Sequence, residues 1–198
     1  MTPLILASGS AARAQLLTSA GVLFDIVPAR VDEDAVKDAL LAQNTPIRAI
    51  ADALAELKAV RVSASHPGAM VLGADQVLVF EKNLVNKSSS ILEARTLLSK
   101  MRGRKHELIG AAVLAKDGVP IWRHVDSSTL TMRAFDDRFL DDYLTQEGET
   151  VLGSVGCYHL EGRGAQLFTN IAGDYFSILG LPLLPVLAAL RDQGVIPS

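Results

Sequence analysis

The sequence predicts an α/β protein built on a mixed central sheet with flanking helices, and three observations predict it. A nearly unbroken apolar run, Val71-Leu72-Gly73-Ala74-Asp75-Gln76-Val77-Leu78-Val79, reads as a strand buried on both faces. Segments with helical spacing at 11–21, 45–58, 90–103, 136–148 and 182–192 are interleaved with strand-like segments. Two long strand-like runs, 106–115 and 119–132, are separated by Asp117-Gly118, a strong short hairpin signal, so part of the sheet must be antiparallel.

At 198 residues the chain fits one domain, residues 1–198, with room for two lobes, better than two independent domains. With 49% hydrophobic and 21% charged residues, its composition is that of a globular protein. A net charge of −3 and a pI near 5.8 leave no basic surface for a nucleic-acid backbone. The single cysteine, Cys157, excludes an intrachain disulfide and points to a reducing compartment. Pro3-Leu4-Ile5-Leu6-Ala7 is too short for a signal-peptide core, and the apolar stretch 176–190 is short and broken by Gly180, Pro182 and Pro185. The expected location is therefore the cytoplasm, with no membrane partner.

In chain order, Leu4-Ile5-Leu6 is a buried strand that runs into Ala7-Ser8-Gly9-Ser10. A helix follows, with Ser10 as its N-cap and Gly21 as its stop. Small residues at a strand-to-helix turn let backbone N–H groups face an anion, and Arg13 lies in the first helical turn. The loop lacks the Gly-Lys-Ser/Thr ending of a phosphate-binding P-loop, and an ordinary capped helix would look much the same. Residues 22–27 read as a second strand ended by Pro28, and Asp32-Glu33-Asp34 as a solvated loop or helix N-terminus. Thr45 caps a helix with Pro46 in its first turn and an apolar face of Ile47, Ile50, Ala51, Leu54 and Leu57; Lys58 falls next to that face.

After the turn His66-Pro67-Gly68 comes the long strand, then the polar turn Glu81-Lys82-Asn83. Ser90 with Glu93 forms a capping box. Asp136 caps a helix that carries Phe139, Leu140, Tyr143 and Leu144 and stops at Gly148. The many glycines of 153–164 imply either close backbone approach to something or tight turns. A strand over 166–171, the turn Gly173-Asp174 and a final helix complete the chain.

Asp75 interrupts an apolar strand, and a carboxylate withdrawn from water needs a partner: a metal ion, a lysine or a helix N-terminus. A purely structural aspartate tying down a loop is the plainer alternative. His66, His106, His124 and His159 show none of the close ligand pairings of zinc sites, and the nearness of Cys157 and His159 in sequence does not make a thiol nucleophile. Glu33 and Asp75 are hard oxygen ligands of the kind Mg²⁺ or Mn²⁺ takes together with substrate phosphates, and Arg13, Lys58 and Lys87 offer positive charge. These are the parts phosphoryl chemistry uses.

Taken in order, Leu6-Ala7-Ser8-Gly9-Ser10 with Arg13, Asp32-Glu33, Lys58-Ala59, Gly73-Ala74-Asp75-Gln76-Val77, Lys87, Gly103-Arg104-Lys105-His106, Glu161-Gly162, Gly173-Asp174-Tyr175 and Gly180-Leu181-Pro182-Leu183 resemble the Maf-type nucleoside triphosphate pyrophosphatases from end to end. The resemblance implies a homodimeric α/β protein, Maf and ITPase-like, with two lobes around a nucleotide-binding cleft. It implies hydrolysis of a nucleoside triphosphate to the monophosphate and pyrophosphate with a divalent cation. By that resemblance Asp75 is proton acceptor or metal ligand, Glu33 helps hold the metal, Ser8, Ser10 and Arg13 hold phosphates, and Lys58 and Lys87 contact the triphosphate. A nucleotide-binding regulator of cell division with little turnover is the alternative from another class.

Departures from the pattern are Ala11 and Ser88, where family members usually carry proline, and Asn86, where they carry glycine. Ala12, Gln76 and Glu161 fall at positions that separate two branches of the family. The dTTP/UTP branch carries Arg, Thr and Gln there, and the 7-methyl-GTP branch an aromatic residue, Gln and Glu. Gln76 and Glu161 match the second branch and Ala12 matches neither. The expected substrate is therefore 7-methyl-GTP or another guanine-type triphosphate, with dTTP or UTP as the alternative.

Overall fold

The structure, a computed structural model, describes residues 2–197. In chain order its elements are β1 (Leu4–Leu6), α1 (Ala11–Ser19), β2 (Asp25–Ile26), α2 (Glu33–Ala42), α3 (Ile47–Ala64), β3 (Met70–Phe80), β4 (Asn83–Val85) and α4 (Ile91–Met101). Then come β5 (Lys105–Lys116), β6 (Val119–Met132), α5 (Asp137–Glu147), β7 (Phe168–Ala172), α6 (Tyr175–Ile178) and α7 (Leu183–Asp192), with 3₁₀ turns at Gly148–Gly153 and Arg163–Leu167. Among the described residues the strands make one seven-stranded sheet in the order β2-β1-β3-β5-β6-β7, with β4 beside β3. β1 is parallel to β2 and β3, whereas β4 is antiparallel to β3 and β7 to β6, so the expected mixed α/β fold is found. No helix among the described residues is long and apolar enough to cross a membrane.

The chain forms two compact units. The first takes residues up to Gln76, Ile109–Asp126 and Tyr175 onward; the second takes Val77–Leu108 and Ser127–Asp174.

In the first unit, strand parity sorts side chains between two layers. Leu4, Leu6, Met70, Leu72 and Ala74 pack with Leu16 and Leu17 of α1 and with Val186 and Leu190 of α7. Ile5, Ala7 and Val71 point the other way, onto Val62 of α3. The periodicity of two places Gly73 and Asp75 on this α3 face, and Gln76 on the other. A Cβ at Gly73 would lie 2.3 Å from the carbonyl oxygen of Ala55 and 2.6 Å from the nitrogen of Ala59. Only glycine permits this approach of helix to strand. Gly73→Ala is accordingly expected to cost about 1–3 kcal/mol by forcing backbone apart, and to pull Lys58 away from Asp75. An unchanged melting temperature would show the approach to be slack.

In the second unit, Leu78, Leu98, Met101, Leu130, Met132, Leu140 and Tyr143 are buried. His106 is buried with them: its Nε2 lies 2.8 Å from the Tyr158 hydroxyl, its Nδ1 has no partner among the described residues, and burial lowers its pKa to about 4. Two glycines of 153–164 allow close approach within the segment itself: Gly164 lies against the His159 backbone and Gly156 against the Tyr158 ring.

Two expectations are corrected. The second strand is only Asp25–Ile26, shorter than 22–27 because Val22 is taken into the core beside α1 and α7 and Leu23 is exposed. The helix expected from a Thr45 cap begins at Ile47 with Pro46 in the cap position and no side-chain cap bond. Other signals fall where they were read. Ser10, Ser90 and Asp136 cap α1, α4 and α5, and Asp117-Gly118 turns with both φ angles positive, at 51° and 80°.

Candidate active site

Two side-chain clusters in the first unit carry most of the expected site residues. The first begins at the loop after β1. Ser8 is buried, and its Oγ accepts from Arg13 Nη1 at 2.9 Å and from the Ser10 N–H at 3.3 Å. Ser10 Oγ caps α1 by accepting from the Arg13 N–H at 3.4 Å. Arg13 Nε donates to the Gly180 carbonyl at 2.8 Å, so the buried guanidinium is held through two of its three nitrogens. A serine oxygen that accepts twice still has its own proton to donate, and a guanidinium with five N–H groups has donors left beyond these two. Burial lowers the Arg13 pKa, and the carboxylates of Asp75 and Glu33 act to raise it, so this loop lies within electrostatic reach of the second cluster.

The second cluster is an ion triad. Lys58 is only 5% exposed and Asp75 only 4%. Lys58 Nζ lies 2.7 Å from Asp75 Oδ1 and 2.7 Å from Glu33 Oε1. Lys58 occupies the buried stripe of α3, between Leu54 and Val62, and does not merely border it. Glu33 comes from the first turn of α2, where Asp32 caps the helix through the Ala35 N–H. Of the partners a buried Asp75 could take, the structure supplies the lysine.

Gln76, next in β3, donates through Nε2 to the carbonyls of Ser177 at 2.8 Å and Ile178 at 3.2 Å. Both partners can only accept, which fixes the amide with Oε1 turned away as an acceptor. Ser177 Oγ donates to Asp126 at 2.8 Å and anchors this turn. The carbonyls of Ser177, Ile178 and Gly180 went unread in the sequence because they are main-chain groups; the glycine at 180, with φ 110°, was the available signal. Ala12 is half-buried in the first turn of α1. Lys87 and Glu161 both belong to the second unit, where both are exposed.

Among the described residues no three His, Cys, Asp or Glu side chains gather to form a metal site. The donor set that exists, Glu33 and Asp75, nevertheless fits Mg²⁺ or Mn²⁺. Both are hard oxygen donors aimed at a single cation, here the Lys58 ammonium, and such ions take one or two carboxylates and complete their shell with water and phosphate. Thiol chemistry at Cys157 has no support, since burial raises its pKa and Sγ donates to Ser88 Oγ at 3.3 Å.

The Maf-like protein family matches residues 3–193. A relative from Caulobacter vibrioides, named nucleoside triphosphate pyrophosphatase, is 52% identical over 196 residues, covering 99% of this chain and 98% of its own. Proteins of the same name from Ruegeria pomeroyi, 51% identical over 196 residues with the same coverage, and Granulibacter bethesdensis, 50% identical over 190 residues with 96% of each chain covered, are similar. A match from the first strand to the last helix, with half the residues identical along nearly the whole length, means that this chain belongs to the Maf-like protein family.

Proposed function

We propose that this protein hydrolyses a nucleoside triphosphate to the nucleoside monophosphate and pyrophosphate, with 7-methyl-GTP or another guanine-type nucleotide as preferred substrate. The observation that carries the reaction is the carboxylate pair bridged by Lys58, within electrostatic reach of the Ser8–Arg13 clasp. The names of relatives at about 50% identity support the same activity.

Arg13, with its remaining N–H groups, and the Ser8 hydroxyl bind phosphate oxygens from the loop after β1, and Ser10 holds that loop against the helix. The charges of Arg13, Lys58, Glu33 and Asp75 sum to zero, too little positive charge for a triphosphate, and this argues for a divalent cation held by Glu33 and Asp75. When bound, that ion supplies neutralisation of the phosphate charge. Asp75 accepts the proton of the water that attacks the α-phosphorus; the α–β phosphoanhydride bond breaks and pyrophosphate leaves. Lys58 and Lys87 contact the triphosphate, the latter by family likeness alone. Homodimerisation belongs to the same likeness, and sedimentation of the purified chain checks it; a cytoplasmic location rests on the single cysteine and the short apolar stretches of the sequence.

Specificity follows from acceptors. Gln76 presents Oε1 as an acceptor; by family likeness alone, a carboxylate at Glu161 accepts from the N–H donors of the guanine Watson–Crick edge and favours the positive charge of a 7-methylated ring. Ala12 offers no ring to stack on a cationic base, which forgoes about 0.5–2 kcal/mol of recognition. Glu161→Gln should shrink the preference for 7-methyl-GTP over dTTP by roughly tenfold in kcat/KM, the worth of one charge-assisted hydrogen bond. Pyrophosphate release across a nucleotide panel with Mg²⁺ or Mn²⁺ tests the whole reading. Best turnover of dTTP and UTP, with a ratio unmoved by Glu161→Gln, would assign the protein to the other branch, and binding without turnover would favour a regulator.

A further inference from the structure

Lys58 stands where a divalent cation would stand. Its ammonium is equidistant, at 2.7 Å, from the two carboxylates proposed above as cation ligands, and it is buried with one of them. Resting on that reading of the site, we propose that Lys58 is an exchangeable internal counterion: it holds Glu33 and Asp75 together in the empty protein and releases them to a metal ion only when a triphosphate arrives to take its ammonium.

The argument is one of charge and reach. A divalent ion arriving alone has to displace Lys58 from both carboxylates and leave a buried ammonium without a partner, which is unfavourable. A triphosphate removes that obstacle, because its oxygens accept from the displaced ammonium while the ion takes the carboxylates. The parts that must move are the ones able to. Lys58 carries a four-carbon stem, and Glu33 sits in the first turn of α2, a helix with no buried residue, whereas Asp75 is fixed in β3. Metal and nucleotide thus bind with positive coupling, and by linkage each strengthens the other equally. Removing the charge of Lys58 abolishes most of the coupling by freeing the carboxylates in advance.

The test is titration of the nucleotide-free protein with Mn²⁺ alone, following the signal of the free ion by electron paramagnetic resonance. Lys58→Gln keeps a donor for Asp75 and should bind Mn²⁺ about tenfold or more tighter than the parent. Lys58→Arg, which keeps the charge, should match the parent, and adding Asp75→Asn to Lys58→Gln should erase the gain. No tightening in Lys58→Gln, or a gain that survives the loss of Asp75, overturns the proposal. Melting curves with and without Mn²⁺ cover a variant that folds poorly: Mn²⁺ must restore its folding, and a chain that stays unfolded with Mn²⁺ also counts against the exchange. Pyrophosphate release by the parent is measured separately, so failure of the enzymatic reading and failure of the counterion exchange give different results.

Discussion

Asp75→Asn should fold like the parent and lose at least about a hundredfold in kcat, the usual worth of a positioned base or ion ligand. The structure explains why folding survives. An asparagine oxygen still accepts from Lys58 Nζ, and Lys58 keeps its 2.7 Å pair with Glu33, so no buried ammonium is stranded. The amide has no basicity with which to take a proton from water, so the chemical step loses its acceptor. The two roles proposed for Asp75 separate in the metal dependence: excess Mn²⁺ should recover part of the rate if the carboxylate acts mainly as a ligand, and none if it acts mainly as the base. Parent-level turnover by Asp75→Asn would remove this residue from the reacting centre.

That Asp75 matters was legible in the sequence, because a carboxylate in an apolar run announces a buried charge whatever the fold. What answers the charge was not. The three candidate partners were left open, and the choice of lysine depends on Gly73, whose missing Cβ lets α3 come close enough for Lys58 to reach. Gly73 lies two residues before Asp75 on the same strand face, but only the packed structure shows which helix covers that face. The same limit applies to Lys58 itself. Helical spacing placed it at the border of the apolar stripe, where a charged residue ordinarily reaches into solvent, and the two carboxylates draw it inside.

Three of the four expected N-caps, all but Thr45, and the hairpin were read correctly because they are local. Ser10, Ser90, Asp136 and Asp117-Gly118 each act over four residues or fewer, and no tertiary contact overrides them. β2 was overread because Val22-Leu23-Phe24 looks like a strand locally, whereas Val22 is spent in the core beside α1 and α7 and Leu23 is 85% exposed. The short helix α6 had no sequence signal at four residues, yet its turn supplies the carbonyls that hold Gln76 and Arg13.

Lys58→Met should destabilise the nucleotide-free protein by about 3–5 kcal/mol, the cost of removing one partner from a buried ion pair. By the family resemblance this lysine contacts the triphosphate; its burial between two carboxylates gives it a part in the nucleotide-free fold as well. Most of the loss falls on Asp75, because the Glu33 side chain, 40% exposed, is met by water once Lys58 is gone. Lys58 and Asp75 should therefore couple strongly in a double-mutant cycle. In an Asp75→Asn background, where no buried carboxylate is left behind, Lys58→Met should cost less by at least about 1–3 kcal/mol. Denaturant unfolding of the four proteins measures this directly. Additive losses would mean that the 2.7 Å contact carries no net stability, and an unchanged melting point for Lys58→Met would leave the lysine to the substrate alone.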